Sequence, residues 1–568
     1  KIVVIADIIR LFMLSYQILM AADYSPYLDS MFTARGLISD AERSRFVAPS
    51  YEEHLHSPWL LPDIEPAVER ILAAIAANEH ITIFSDYDAD GIPGAVIWHD
   101  FFTAIGYDNF SNKIPHRHYD GFGLSAAAVT DMIDAGTNLI ITVDCGTTDI
   151  DAVAAATTCG VDVIITDHHE PPAELPPALA IVNPAVGTSY PFPGICGAAV
   201  TYKLVQAVLE RGEFALAPGT EKWWLDMVGL ATIADMVPLI DENRVFAHYG
   251  LVVLRQSRRP GLQQLLRKQR ASQAHLTEDD IGFTIGPRIN AASRMDTPED
   301  AFFMLATKDE GQAGAYVDRL EVLNQERKST VAVMTRAAHE RLRKKVEQPA
   351  VLVLGDISWR PALAGLVANK LAEEHNRPAF VWGRDGNGVL KGSCRAGGDM
   401  SVIRLMEAAT DAFIEFGGHH ASGGFSVSDD AIHTLPAQLL AACQQLGEQA
   451  LVKAEQTPDY TFRLDEITPA ILREQSRLAP FGMANPKPLY KITDVVPTAV
   501  DIFGKTKEHT KLLFSTTGVA HEAIAFFRTP DSFRSEPTVG VTCTLLAHLE
   551  ESFFMGRLQT RLRIVDVR

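Results

Sequence analysis

Acidic residues and histidines gather at the ends of three apolar stretches of this sequence. They are Asp86, Asp88 and Asp90 after residues 80–85, Asp144 after residues 138–143, and Asp167, His168 and His169 after residues 161–166. Each stretch is short, largely β-branched and without a helical period, which predicts a buried strand. Open α/β sheets bind ligands at the carboxyl ends of their strands. We therefore expect these side chains to meet at one edge of a sheet.

A further acidic residue, Asp235, lies near the end of an apolar segment. Residues 225–237 predict a helix that Pro238 stops, with few other polar side chains around Asp235. Such an acid is either solvated at the helix end or is a buried ligand whose charge a cation offsets. The sequence leaves both alternatives open.

The grouping of so many carboxylates indicates a metal centre. The spacing Asp86-x-Asp88-x-Asp90-Gly91 resembles the start of a calcium loop of the EF-hand type, but Ile97 stands where that loop needs a bidentate Glu, and a strand precedes it. Clustered carboxylates repel one another unless divalent cations hold them, and carboxylate with a minority of imidazole suits Mn²⁺ or Mg²⁺ better than zinc. Two such ions activate water and stabilise the leaving oxygen in phosphoester hydrolysis.

The elements that must position these residues alternate along the chain. Strands at 80–85, 138–143 and 161–166 are followed by helical segments at 94–105 and 149–157, a pattern typical of a parallel, doubly wound sheet. A long helix is predicted at 309–345, a new strand at 350–354 opens a second α/β unit, and short alternating segments from about residue 455 predict a small β-barrel.

The overall composition is that of a globular protein with several domains. The chain has 568 residues, 47% of them hydrophobic, and a formal charge of −20, which argues against a generally basic nucleic-acid surface but not against local basic grooves. Its six cysteines are scattered without metal-type or disulfide-type spacing, which favours a cytoplasmic location. The apolar segment 11–22 is too short to span a bilayer and is interpreted as an amphipathic helix, not a signal peptide.

A basic run lies between the two α/β patterns. It consists of Arg255, Arg258, Arg259, Arg267, Lys268 and Arg270. Such a run is either a solvated face or a surface that follows phosphates.

Four of the motifs, taken in order, carry a family resemblance. They are Asp86-Tyr87-Asp88-Ala89-Asp90-Gly91, Asp144-Cys145-Gly146, Asp167-His168-His169 and residues 231–239 with the sequence ATIADMVPL. The set resembles the phosphoesterase motifs of the DHH superfamily and, within it, the RecJ family. The likeness extends to residues 114–117, 121–124, 283–291, 323–328, 392–395, 417–424, 478–482 and 504–511, and thus over nearly the whole chain.

The resemblance implies roles for individual residues. The implied metal ligands are Asp88, Asp90, Asp144, His168 and Asp235, with Asp144 bridging two ions of Mn²⁺ or Mg²⁺. Asp86 and Asp167 are expected to orient these ligands without binding the metal. Asp144 and His169 are the implied catalytic residues, His169 either polarising the scissile phosphate or serving as a structural histidine. The implied nucleic-acid contacts are Arg117, Arg288, Ser393, Arg395 and His419, each of which has a surface ion pair or a turn as its alternative.

The resemblance also implies the activity. This activity is a 5′-to-3′ exonuclease that acts on single-stranded DNA by a two-metal mechanism, in recombination and repair. The resemblance further implies a monomer that works with a single-strand-binding protein and a helicase and that does not bind a membrane. Phe481, Phe514 and Phe553 are either base-stacking platforms or barrel core. The alternatives are a phosphodiesterase of the same superfamily for oligoribonucleotides or cyclic dinucleotides, and a scaffold without activity, which the full set of ligands disfavours.

Domain boundaries complete the expectation. We expect an N-terminal helical region at 1–78, a DHH phosphoesterase domain at 79–270, a helical connector at 271–345, a DHH-associated (DHHA1) domain at 346–452 and an OB-fold-like domain at 453–568. Two segments depart from the family pattern. Arg360 and Ala362 stand where His and Gly are usual, and Ser293 stands where Gly is typical before Arg294.

Overall fold

The computed structural model describes most of the chain. It covers residues 24–344, 349–447, 457–504, 507–516, 519–554 and 557–568, without the side chains of 519 and 552–559. The predicted amphipathic helix at 11–22 and the side chain of Phe553 lie outside the described residues. In the part of the chain that is covered, no helix combines the length and the apolar character needed to cross a membrane.

The strands form three separate sheets. They are β1 (Ile81–Ser85), β2 (Phe110–Lys113), β3 (Leu139–Val143), β4 (Asp162–Thr166), β5 (Ala180–Val182), β6 (Leu352–Gly355), β7 (Ala379–Arg384), β8 (Leu390–Arg395), β9 (Glu415–Gly418), β10 (Ser422–Val427), β11 (Tyr460–Arg463), β12 (Tyr490–Val495), β13 (Ala499–Phe503), β14 (His509–Thr516), β15 (Val519–Ala525), β16 (Cys543–Phe554) and β17 (Arg557–Val567).

The α-helices connect and cover these sheets. They are α1 (Pro26–Ala34), α2 (Asp40–Val47), α3 (Tyr51–His54), α4 (Ile64–Ala77), α5 (Gly91–Ile105), α6 (Ala126–Asp134), α7 (Ile150–Thr158), α8 (Gly197–Arg211), α9 (Leu225–Ala234), α10 (Asp241–Leu254), α11 (Pro260–Gln269), α12 (Glu278–Asp280), α13 (Gly286–Met295), α14 (Glu299–Ala306), α15 (Glu310–Arg343), α16 (Pro361–His375), α17 (Val402–Ala408), α18 (Leu435–Leu446) and α19 (Pro469–Ser476).

The described residues divide into two compact units. One unit is built from residues within 57–235 and 253–455, and the other from residues within 1–56, 236–252 and 456–568. In the first unit, a five-stranded sheet has the order β2-β1-β3-β4-β5 with all strands parallel. Strands β1 and β3 are buried along their whole length, because helices cover both faces of a doubly wound sheet.

A second sheet belongs to the same unit. Its order is β6-β7-β8-β10-β9, with β6 and β7 parallel and the later pairs antiparallel. The 34-residue helix α15 packs on α11, α13 and α14 near its start and on α16 further along, so it links the first sheet's connector helices to the second sheet. This arrangement confirms the expected parallel α/β domain and smaller α/β domain joined by a long helix.

The other unit is built around a seven-stranded sheet. Its order is β11-β12-β16-β17-β15-β14-β13, and its core includes Tyr27, Phe462, Tyr490 and Phe514. Phe514 is 1% exposed and Phe481 is 8% exposed. Of the two alternatives for these rings, the structure favours core packing, because a buried ring offers no face to a nucleic-acid base.

Candidate metal centre

Three strand ends meet at the edge where the sequence predicted a site. Asp86 follows β1 and its amide donates to Val143 O, and the amide of Asp144 donates to Thr166 O. Asp144 has φ +62°, in the left-handed region, so the chain turns sharply where it leaves β3. The backbone thus directs the acidic residues after β1, β3 and β4 to one edge.

The amino end of α8 holds the third acid of the first motif. Asp90 accepts hydrogen bonds from the amides of Gly197 (2.7 Å) and Ala198 (2.7 Å), which are otherwise unpaired at a helix start. A Cβ added to Gly197 would lie 2.6 Å from Asp144 Cβ and 2.7 Å from its Oδ1. Only glycine at this position lets the helix approach the carboxylates so closely.

Three overlapping groups of possible ligands result. Ligand atoms lie within 4.8 Å of one another in each of three sets: Asp86, Asp88 and Asp144; Asp144, His168 and His169; and Asp90, His168 and Asp235. Asp144 belongs to the first two sets and His168 to the last two. His168 Nε2 connects the groups, since it lies 3.1 Å from Asp144 Oδ1, 3.7 Å from Asp90 Oδ2 and 3.8 Å from Asp235 Oδ2. Asp235 caps the carboxyl end of α9, which stops at Ala234, somewhat before the predicted end at residue 237.

The electrostatics of these carboxyl groups fit the binding of a cation. Burial raises the pKa of Asp144 well above its usual range, and the charges of Asp90 and Asp88 raise it further. Burial and the neighbouring Asp88 likewise raise the pKa of Asp86, and burial with Asp90 raises the pKa of Asp235 to about 9. A cation reverses this penalty because it stabilises the charged forms.

Unpaired oxygen atoms support the same conclusion. Asp86 Oδ1 and Asp144 Oδ1 are buried and accept no hydrogen bond of acceptable geometry from any described residue. Burial lowers the pKa of His168 although the charge of Asp90 opposes the shift, and this direction favours the neutral imidazole that coordinates a metal. Several carboxylates with one or two imidazoles are the donor set of Mn²⁺ or Mg²⁺, and the residues present therefore fit such ions.

The three residues after β4, Asp167, His168 and His169, have different contacts. Asp167 is buried; its Oδ1 accepts hydrogen bonds from the amide of His168 (2.8 Å) and from His169 Nδ1 (2.7 Å), and its Oδ2 accepts one from the amide of Thr147. Although burial opposes it, the hydrogen bond to Asp167 raises the pKa of His169 to about 9. His169 is thus a cationic imidazole, held with its Nδ1 4.0 Å from Asp144 Oδ1.

The predicted nucleic-acid residues are placed unequally. Arg117 lies 4.8 Å above the Tyr87 ring, and Ser393 and Arg395 share one face of β8, against Gly365 of α16. Arg288, in contrast, is buried and every guanidinium nitrogen donates to a protein acceptor, among them Glu321, Gln269 and Thr284 O. This placement favours a structural function for Arg288.

His419 lies on a turn one strand away from Arg395, since its hydrogen-bond partner Ser422 is paired with Arg395 across β8 and β10. It is exposed in the turn between β9 and β10, where its amide donates to Ser422 O. Among the described residues, no recorded contact joins it to the metal ligands, and its contact with nucleic acid stays a prediction.

Two arginines that the sequence had not singled out complete a basic cluster. Burial lowers the pKa of Arg294 to about 9, and the charges of Arg117, Arg327 and Arg395 contribute to the shift, while Asp88 opposes it. Arg294 Nη1 donates to Ala362 O (2.7 Å). Arg294 and Arg327 both lie in or beside segments that carried the resemblance, which was the available signal.

Further residues support or line the centre. Asn290 Oδ1 accepts the amide of Ala89, and Asn183 Nδ2 donates to the carbonyl of His169, so each fixes a loop that carries ligands. Tyr119 is 71% exposed and Phe122 54% exposed, and the Phe122 ring centroid lies 5.7 Å from that of His169. No spacing rule in the sequence marks such single aromatic or amide side chains.

Comparisons with known proteins agree with this geometry. Residues 80–232 match the model of the DHH family, N-terminal domain, and residues 458–566 match that of the RecJ OB domain. The chain is 32% identical over 487 residues to the single-stranded-DNA-specific exonuclease RecJ of Salmonella typhimurium, covering 83% of each. It is also 32% identical over 506 residues to the Bacillus subtilis protein of that name, covering 88% of this chain and only 63% of the relative's length.

A solved structure shows the same arrangement. The crystal structure of RecJ from Thermus thermophilus in complex with Mn²⁺ matches with a TM-score of 0.80 and 26% identity, over 96% of this chain and 76% of that chain. A structure of the same protein in complex with Mg²⁺ matches with a TM-score of 0.74 and 25% identity. The seven-stranded sheet thus corresponds to the expected OB-type domain. With this fold, these sequence matches and the ligands gathered at one sheet edge, the chain belongs to the RecJ family of the DHH superfamily.

Proposed function

We propose that this chain is a Mn²⁺- or Mg²⁺-dependent exonuclease that hydrolyses single-stranded DNA from the 5′ end. The observation that carries the proposal is the set of three overlapping ligand groups around Asp144 and His168. The names of the relatives, which are single-stranded-DNA-specific exonucleases, support the substrate. Because the chain spans 63% of the length of one of them, the proposal concerns the activity of the described centre.

The residues have separate functions in this proposal. Asp88, Asp90, Asp144, His168 and Asp235 would hold two divalent ions, and Asp144 would be available to both because it belongs to two of the groups. Asp86 would join them as a ligand, because it belongs to one of the groups and its buried Oδ1 accepts no hydrogen bond from a described residue. When bound, such ions lower the pKa of water and neutralise charge on the leaving oxygen. Asp167 fixes the ring of His169, and that cationic ring stabilises negative charge on the phosphate.

The basic cluster is suited to bind the phosphates of the DNA backbone. The charges of Arg117, Arg327 and Arg395 act on Arg294, and so does the charge of the ligand Asp88. A guanidinium donates two hydrogen bonds to one phosphate. We propose that Ser393 and Arg395 bind the 5′-terminal phosphate, and that Tyr119 and Phe122 stack on bases, since both rings are exposed beside His116 and His169. A base already paired in a duplex is not available for such stacking.

The polarity test uses one oligonucleotide with two labels. A single-stranded DNA labelled at the 5′ end should release labelled mononucleotide at once in Mn²⁺ or Mg²⁺, whereas the 3′-labelled copy should shorten progressively. Release from the 3′ end first would contradict the polarity. Hydrolysis of oligoribonucleotides or cyclic dinucleotides while long single-stranded DNA survives would favour the alternative, a small-substrate phosphodiesterase.

The site is tested by a substitution with a matched control. Asp144→Ala removes the one carboxylate that belongs to two of the three ligand groups and should lower Mn²⁺-dependent hydrolysis by about 10²–10³-fold, as loss of a central electrostatic group does. Asp151→Ala removes an exposed acid in the first turn of α7 and should leave the rate unchanged. Full activity of Asp144→Ala would overturn the assignment of the centre.

Partners and location extend the proposal. We infer that the chain works as a monomer in the cytoplasm with a single-strand-binding protein and a helicase, as the family resemblance implies. Among the described residues, no disulfide joins Cys145, Cys159, Cys196, Cys394, Cys443 or Cys543, which agrees with a reducing compartment. Sedimentation of the chain, alone and with a single-strand-binding protein, tests the monomer and the first partner.

A further inference from the structure

A second cluster of metal-ligating side chains lies where α15 passes the carboxyl end of α16. His339 of α15 faces Glu374 and His375, the last two residues of α16, and a ligand atom of each residue lies within 4.8 Å of the others. His339 Nε2 is 2.9 Å from Glu374 Oε2, and the two imidazole rings are 5.6 Å apart between centroids. None of the three residues belongs to the centre described above.

His339 pairs with Glu374, but this contact does not explain why the Nε2 atom of His375 is buried beside them. His375 Nε2 is buried and makes no hydrogen bond with any residue that the structure describes, which is costly for a polar nitrogen. Lys370 Nζ approaches the other oxygen of Glu374, Oε1, at 3.8 Å, so Oε2 is left to the histidines. A cation bound among the three side chains would use the imidazole of His375 as well as the carboxylate of Glu374.

The donor set determines which cation fits. Two imidazoles and one carboxylate are ligands typical of Zn²⁺ with an open fourth position, whereas the carboxylate-rich catalytic centre suits Mn²⁺ or Mg²⁺. We propose that His339, Glu374 and His375 bind one Zn²⁺ ion that ties α15 to α16. The ion stabilises the junction of the long helix with the second sheet's domain, because it binds the folded chain and not the unfolded one.

Metal counting on the full chain tests the site. Protein stripped with EDTA is dialysed against Zn²⁺, and bound metal is measured by mass spectrometry for the native chain, His375→Ala and Glu374→Gln. We expect each variant to bind one ion fewer than the native chain, with at least about 10–100-fold weaker affinity at this site, since even outer partners of metal ligands are worth that much. Co²⁺ should give a visible absorption band in the native chain that His375→Ala diminishes.

Matched variants separate this site from the catalytic centre and from misfolding. Glu373→Gln changes the neighbouring exposed acid, and His433→Ala removes an exposed histidine elsewhere in the same unit; both should bind the native number of ions. Mn²⁺-dependent hydrolysis and the circular dichroism of His375→Ala should equal those of the native chain. Equal Zn²⁺ binding by native, His375→Ala and Glu374→Gln proteins would overturn the proposal, as would loss of the ion in Glu373→Gln.

Discussion

At the scale of single residues, the metal centre depends on charges that are unfavourable without a cation. The folded-state pKa of Asp235 is raised to about 9 by burial and by Asp90, and those of Asp86 and Asp144 are raised by burial and by their neighbours. A group whose pKa is raised on folding stabilises the fold fully below its unfolded pKa, near 3.8, and this contribution is lost as pH rises toward the folded pKa. The metal-free chain should therefore be penalised increasingly across that window.

This sign gives a prediction for metal removal. In EDTA, the unfolding midpoint should fall between about pH 6 and pH 9 by more than it does in Mn²⁺, because bound cations stabilise the ionised carboxylates. Thermal melts of the same preparation with and without Mn²⁺ measure the difference at each pH. Asp235→Asn, which cannot ionise, should reduce the pH dependence of that difference; an unchanged difference in this variant would contradict the pKa assignment.

The strand β8 carries a second prediction at residue scale. Arg395→Ala should weaken binding of a 5′-phosphorylated single strand and reduce the salt dependence of log Kd by roughly one phosphate contact. Arg384→Ala removes an equal charge from β7, where Arg384 pairs with Asp429. It should change neither quantity. Binding titrations at several salt concentrations compare the two variants, and equal effects would show a general charge effect instead of a specific contact.

At the scale of elements, α8 lies so close to the carboxylates that no side chain fits at Gly197. Gly197→Ala should destabilise the unit by about 1–3 kcal/mol, as overpacking does, and weaken Mn²⁺ binding, because the new methyl would meet Asp144. Gly282→Ala is the control, since no atom lies within 4 Å of the place that its new methyl would occupy. Denaturation curves and Mn²⁺ titrations measure both effects. Native-like Mn²⁺ binding by Gly197→Ala would mean that α8 shifts to make room for the methyl group.

The elements also show where sequence patterns succeed and fail. Strands β1, β3 and β4 were predictable to within a residue because they are buried on both faces and so form unbroken apolar runs. Strand β2 (Phe110–Lys113) was missed, because a polar, half-buried strand at the sheet edge has no such run. The acids after the strands were found for the same reason as the strands, whereas Asn183 and Arg294 depend on packing that no local pattern records.

At the scale of the whole first unit, a buried ion network joins segments far apart in the sequence. Arg259 was part of a basic run for which the sequence favoured a solvated face or a phosphate-binding surface. It is instead buried, with Nε 2.7 Å from Asp226 Oδ2 of α9 and Nη2 2.6 Å from Asp100 Oδ2 of α5. Its Nη1 donates to Leu305 O of α14, so one guanidinium fastens a connector helix to the helices that cover the first sheet.

Breaking this network should affect the stability of the whole unit. Arg259→Ala leaves Asp226 buried without its cation and leaves Asp100 with Lys308 alone, so it should cost about 3–5 kcal/mol in the free energy of unfolding. Arg258→Ala, at the adjacent exposed position near the Trp223 ring, should cost less than about 1 kcal/mol. Urea denaturation of both variants measures the difference. Because the network lies outside the metal ligands, Arg259→Ala should retain Mn²⁺-dependent hydrolysis at temperatures where it stays folded. A similar loss of stability in Arg258→Ala and Arg259→Ala would contradict the prediction, because it would show that loss of the charge, and not its burial, determines the effect.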